Sequence, residues 1–175
     1  MRKLLFFLLF FSFAYGSNAQ AISLKQLLKF RQMEQERITR KLSKKGWFFM
    51  VDNKPTEEMM GKAVWAYKPV AVGNMEAGAV AWCVLYYSAK TPSRILYNYF
   101  GQTTLSKINK KIRQKAIITL EKGNALSGVS ALAAYTDVAD KELVFRIMTY
   151  DFPDRFGIKI FDKEDYLEAK RNDRL

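Results

Sequence analysis

The chain has no histidine and one cysteine, Cys83. Without histidine there is no Ser-His-Asp or Cys-His catalysis and no His-ligated metal. A lone cysteine allows no internal disulfide, no C-x-x-C redox pair and no cysteine-rich zinc site. Its surroundings, Trp82-Cys83-Val84-Leu85, are apolar, so the thiol reads as a small buried hydrophobe rather than a reactive group. No G-x-S-x-G, P-loop or S-x-x-K motif is present. These absences predict no cofactor and no metal. Beyond the first twenty residues no apolar run is long enough to span a membrane. Acidic residues are scarce beside basic ones, 17 against 29, which gives a formal charge of +12 and a pI of about 9.8. Apolar residues are abundant: 49% hydrophobic and 14% aromatic content excludes a disordered chain.

The first residues read as a secretory signal peptide spanning 1–19. Arg2 and Lys3 form a positive n-region, Leu4 to Ala14 is an apolar run broken only by Ser12, and Ser17-Asn18-Ala19 sets small residues at a cleavage site. The run is too short to cross a hydrocarbon core of about 30 Å. No cysteine lies near the cleavage site, which argues against a lipid anchor. The expectation is a secreted or periplasmic protein, with residues 20–175 forming one domain large enough to bury about 70% of its unfolded surface.

The positive charge is unevenly spread. Residues 21–52 carry eight basic and three acidic groups, and residues 102–123 carry six and one, so each segment is +5. Both read as helices. The first opens at Ser23, with Gln26 three residues on as a capping box. Leu24, Leu27, Leu28, Ile38 and Leu42 share one face at helical spacing. Arg31 and Gln35 fall on that same face, and burying an arginine continuously is costly, so the spacing predicts a break near 32–34. Lys44-Lys45-Gly46 ends the helix. The second helix is predicted from about Thr104 to Lys122, with Leu105, Ile108, Ile112, Ala116, Thr119 and Leu120 buried and Gly123 as the stop.

Between and after the helices the pattern turns to strands. Trp47–Val51, Lys62–Val70, Ala79–Ala89 and Arg94–Phe100 follow the first helix, with a turn at Gly73-Asn74. Ser130–Asp137, Glu142–Asp151 and Arg155–Phe161 follow the second, with a turn at 138–141. Trp82 and Phe145 lie in runs with apolar neighbours of the same parity and are expected in the core. The tail from Asp162 is charged and reads as a short, fraying helix. Short turns between consecutive strands predict an α+β fold: an antiparallel sheet with two helices on one face. The order α-β-β-β-β then α-β-β-β suggests tandem half-repeats over 22–101 and 102–163. The other sheet face would be partly open and lined by Tyr, Arg and Lys.

The Ser17-Asn18-Ala19-Gln20 signal end, the Lys45-Gly46-Trp47 junction and the paired helix-plus-hairpin halves resemble uncharacterised small secreted proteins of Gram-negative bacteria. The element order is similar to the β-lactamase-inhibitor-protein-like architecture, in which two helix-plus-sheet repeats form one curved sheet. The unpaired Cys83 departs from the disulfide-bearing repeats of those inhibitors, and an inhibitory activity does not follow from fold alone.

No residue set points to catalysis. Asp151, Asp154, Asp162 and Asp165 cluster late in the chain, where paired carboxylates could cleave a glycosidic bond, but turn and helix-start roles account for all four. The binding candidates are aromatic and basic: Tyr86, Tyr97, Tyr99 and Arg94 on neighbouring strands, and Lys107, Lys110, Lys111 and Arg113 on the second helix. The sequence therefore suggests an exported, non-enzymatic binding module for an anionic envelope surface or a protein partner. The alternative is a carboxylate-dependent envelope hydrolase. Export argues against a nucleic-acid partner.

Overall fold

A computed structural model describes residues 21–69, 79–115, 117–123, 127–137, 142–172 and 175. The segment 1–19 expected to be a signal peptide, Ala116 and the turns expected at Gly73-Asn74 and 138–141 lie outside those residues. Helix α1 (Leu24–Arg31) and helix α2 (Gln35–Ser43) precede four strands: β1 (Trp47–Asn53), β2 (Gly61–Tyr67), β3 (Ala81–Tyr87) and β4 (Arg94–Phe100). Helix α3 (Gln102–Arg113) then leads to β5 (Ile117–Gly123), β6 (Val129–Asp137), β7 (Leu143–Tyr150) and β8 (Arg155–Asp162), and α4 (Lys163–Arg171) closes the chain.

The break expected in the first helix is there. Ser23 and Gln26 form the capping box that starts α1, and Gln32 ends it. The break lets Arg31 leave the apolar stripe and reach Asp162, at 2.5 and 3.4 Å, and the Ser93 carbonyl at 3.3 Å. After α2, Gly46 turns the chain with a φ of +77°, a conformation that costs glycine little.

The second helix is shorter than the spacing predicts. It ends at Arg113, and the stretch expected to continue it is strand β5. Ile117, Ile118 and Thr119 are β-branched and stiff at χ1, which favours a strand, and β6 is there to pair with them. Thr119 is exposed rather than on a buried helical stripe.

All eight strands join one antiparallel sheet in the order β1-β2-β3-β4-β8-β7-β6-β5. Two four-stranded meanders thus meet edge to edge at β4 and β8, where Tyr97 pairs with Ile158. The outermost strands β1 and β5 each carry a register shift, after Phe49 and after Thr119. Bulges of this kind disrupt the unpaired edge as a template for another chain.

One core cluster joins side chains of α1, α2 and α3 to one parity of the sheet. Leu27, Phe30, Ile38, Leu42, Ile108 and Ile112 meet Trp65, Cys83, Ile95, Phe145 and Ile158 there. Phe145 is fully buried, as its alternation predicts. Trp82 departs from expectation: its parity puts it on the opposite face, partly exposed. A second cluster, on that opposite face, packs Tyr166 of α4 with Ala134, Val144 and Phe161, and Ala169 of the same helix is buried too. The charged tail is therefore a docked helix and not a fraying one. Burial of Cys83 pushes its thiol pKa well above the ordinary value, consistent with an inert thiol.

Candidate functional site

Alternation along the strands separates the residues that the sequence groups together. Tyr97 and Tyr99 point into the core, each 2% exposed, with their rings stacked 4.8 Å apart. The Tyr97 hydroxyl accepts a hydrogen bond from the Ile22 backbone N–H at 3.4 Å. Tyr97 is thus a core residue and cannot serve as a contact on the open face. Tyr99 only borders the cleft described below, and its buried hydroxyl has no hydrogen-bond partner. Burial pushes both phenols well above the ordinary tyrosine range.

Asn98 and Phe100, on the same strand as Tyr97 and Tyr99, face the other way. With Trp82, Tyr150, Phe152 and Arg155 they line a cleft of about 530 Å³. The Arg155 guanidinium lies 4.9 Å from the Phe100 ring centre and 5.0 Å from that of Phe152. The two rings meet edge-on at 6.3 Å. Contacts of this kind are each worth about 0.5–1 kcal/mol at exposed sites. They restrict the arginine without neutralising it.

The floor of the cleft depends on Gly157. The Tyr150 hydroxyl donates to Asn98 Oδ1 at 2.9 Å. A Cβ on Gly157 would sit 2.7 Å from both of those oxygens. Glycine in mid-strand therefore lets a tyrosine from β7 reach an asparagine on β4 across β8.

Further along the same face the chemistry turns ionic. Arg94 takes both oxygens of Asp165 at 2.7 Å and sits 5.4 Å from the Phe161 ring. Arg146, 2% exposed, faces Glu121 at 3.6 Å, and the Tyr166 hydroxyl donates to the other Glu121 oxygen at 2.5 Å. Lys159 lies between the two arginines, 5.0 Å from the Tyr86 ring. Burial comes first, then Arg94 and Arg146, in pulling its pKa down to about 8, against the opposing pull of Asp165.

Of the expected binding residues, Tyr86 and Arg94 share this ionic stretch. Lys107, Lys110, Lys111 and Arg113 are exposed on α3, whose Ile108 and Ile112 are buried. Two of the four late carboxylates, Asp162 and Asp165, are engaged by arginines. Asp151 and Asp154 are exposed. Among the described residues no group of three or more Cys, Asp or Glu side chains could hold a metal ion.

The sequence reading missed Phe152 because 152–154 scans as a turn, and turns carry no face; Phe100 and Arg155 were read only as the ends of strands. A glycine inside an otherwise apolar alternation, as at Gly157, was the available signal. The chain matches no family model, no curated protein and no solved structure.

Proposed function

We propose that the chain is an exported, non-enzymatic binding module held against an anionic envelope surface by the outer faces of α2 and α3. In this reading both helices lie on one face of the sheet with their basic sides outward. The observation that carries it is the sidedness of the charge. Ile38, Leu42, Ile108 and Ile112 join the same core cluster, while Arg37, Arg40, Lys41, Lys44, Lys110, Lys111 and Arg113 are exposed. A surface of one sign attracts anions at a range set by a Debye length of about 8 Å in physiological salt.

Two further features support a module of this kind. The meanders β1–β4 and β5–β8, each preceded by a helix, read as tandem repeats over 22–101 and 102–163. This is similar to the β-lactamase-inhibitor-protein-like arrangement. The cleft around Arg155 gives the opposite face a place for a segment of a protein partner, with rings for an apolar side chain and a fixed guanidinium for an acidic one. The alternative, a carboxylate-dependent hydrolase, has less support, since Asp162 and Asp165 are already paired with Arg31 and Arg94.

The test is binding to phosphatidylglycerol vesicles across a salt series. Wild type should bind at low salt and release as salt rises, and a Lys107→Glu, Lys110→Glu, Lys111→Glu variant should fold normally and bind at least tenfold more weakly. Equal, salt-insensitive binding by the two proteins would refute the electrostatic reading.

A further inference from the structure

Arg155 differs from the other two arginines of the second face. Arg94 and Arg146 each face a carboxylate, that of Asp165 and that of Glu121. Among the described residues no carboxylate pairs with Arg155. Its guanidinium lies over two rings instead, 4.9 Å from the centre of Phe100 and 5.0 Å from that of Phe152. Arg155 is partly exposed and lines the cleft of about 530 Å³, so an anion entering the cleft can reach it. Asp151 lines the same cleft, exposed and without a paired cation among the described residues. It would repel a second negative charge on a ligand, so the cleft suits a single carboxylate and not a polyanion.

The rim points to what carries that carboxylate. Val80 and Phe152 border the cleft and are 47% and 60% exposed. Apolar side chains standing in water around a cleft mark a surface that a protein partner covers, and a small acid seated on Arg155 would leave them bare. The nearness of charge and rings then selects the kind of segment. In an extended chain neighbouring side chains point to opposite sides, so an internal acid and the apolar residue beside it cannot both enter. Residues two apart share a side but are separated by about 7 Å. The Arg155 guanidinium lies closer than that to both rings. At a C-terminus the carboxylate and the last side chain hang from one α-carbon and fit the shorter spacing.

We infer that the cleft captures the C-terminal end of a protein partner. The terminal carboxylate takes the Arg155 fork, an apolar last side chain lies against Trp82 and Phe100, and the residues before it cover Val80 and Phe152. A guanidinium gives a carboxylate two parallel N–H bonds, which fixes the direction of the incoming chain. The inference rests on the reading of the cleft as a place for a protein segment and narrows it to a chain end. It does not depend on the basic helices.

The experiment titrates a tetrapeptide with a free C-terminus, N-acetyl-Ala-Gly-Ala-Phe, into isotope-labelled protein and follows the indole N–H resonances by NMR. That of Trp82 should shift saturably, while those of Trp47 and Trp65, buried on the covered face, should stay in place. The C-terminal amide of the same peptide should bind at least tenfold more weakly. Arg155→Met should bind acid and amide alike, as weakly as wild type binds the amide. The comparison of acid with amide needs wild type only, so it decides the matter if the methionine variant does not fold. The Lys107→Glu, Lys110→Glu, Lys111→Glu variant should bind the peptide as wild type does, which keeps a failure on vesicles separate from a failure here. Equal binding of acid and amide by wild type, or an unmoved Trp82 resonance, would overturn the inference. An internal acidic peptide, N-acetyl-Ala-Phe-Glu-Ala-amide, binding as tightly as the free-ended one would overturn the chain end and leave the protein segment standing. Phenylacetate binding as tightly would overturn both.

Discussion

Residues one position apart on β4 meet opposite surroundings. Tyr97 and Tyr99 stack in the core that also takes in α1, α2 and α3, whereas Asn98 and Phe100 border a cleft walled by Trp82 and Arg155. The same contrast runs across the sheet. Toward those helices, Trp65, Cys83, Phe145 and Ile158 form a core without a charged side chain. On the other side, Arg146 and Lys159 are register partners on β7 and β8, and Arg94 lies on β4 two residues from Leu96, the β4 partner of Lys159. Placing charges there costs desolvation that apolar residues would avoid. The covered face therefore carries the larger apolar core, and the second face combines two smaller apolar clusters with three cations whose placement costs desolvation.

Truncation is the strongest way to break that comparison. Phe145→Ala on the covered face should destabilise by about 3–5 kcal/mol, the transfer and cavity cost of a buried phenylalanine. Trp82→Ala, although it removes a larger ring, should cost no more than about half as much, because its ring is already partly in water. Urea unfolding of both variants checks this. Equal losses would mean that the two faces are equally important to stability.

Much of the covered face is legible in the sequence. Alternation of Leu143, Phe145 and Ile147 assigns the core parity of β7, and the Arg31–Gln35 conflict foretells the break between α1 and α2. The second face is less legible for a physical reason. Its groups act through partners far along the chain: Arg94 with Asp165, Tyr150 with Asn98 across Gly157. Local periodicity carries no information about such pairs. It also extended α3 through Thr119 and Leu120, because apolar spacing in a short stretch suits a helix and a strand alike. The competition was settled by pairing with β6.

A smaller effect separates the faces by pH. The pKa of Lys159 falls from an ordinary 10.5 to about 8 on folding. Between those values the unfolded chain holds more protons than the folded one, so stability from this group rises with pH from about 8 toward 10.5. Below pH 8 the charged amine is a standing penalty of about 3 kcal/mol. Buried phenols on Tyr97, Tyr99 and Tyr166 act oppositely: their raised pKa values protect the fold below about pH 10 and withdraw that protection above it. Wild type should therefore gain stability between pH 8 and 9, below the range in which the Cys83 thiol and the tyrosines of the unfolded chain ionise, while Lys159→Met should be more stable at pH 7 and flat over the same window. Chemical denaturation across pH measures both. A wild-type curve that is flat from pH 7 to 9 would place Lys159 in water and erase the contrast.

The smallest effect tests whether the covered face is as dry as its packing implies. Tyr99 and Tyr97 stack on each other, yet only Tyr97 has a hydrogen bond, from the Ile22 N–H. Tyr97→Phe removes an acceptor and should cost about 1 kcal/mol. Tyr99→Phe removes a hydroxyl that satisfies nothing while keeping the ring against Phe156, 6.0 Å away. Its stability should range from unchanged to about 1 kcal/mol higher, because an unsatisfied buried hydroxyl is lost along with its desolvation cost. Paired thermal unfolding curves give the answer. A loss from Tyr99→Phe equal to that from Tyr97→Phe would mean that the Tyr99 hydroxyl does find an acceptor or donor. The cleft it borders is the nearest source of one. Water or ligand from the second face would then reach the core past the end of β4, and the two faces would no longer be separate.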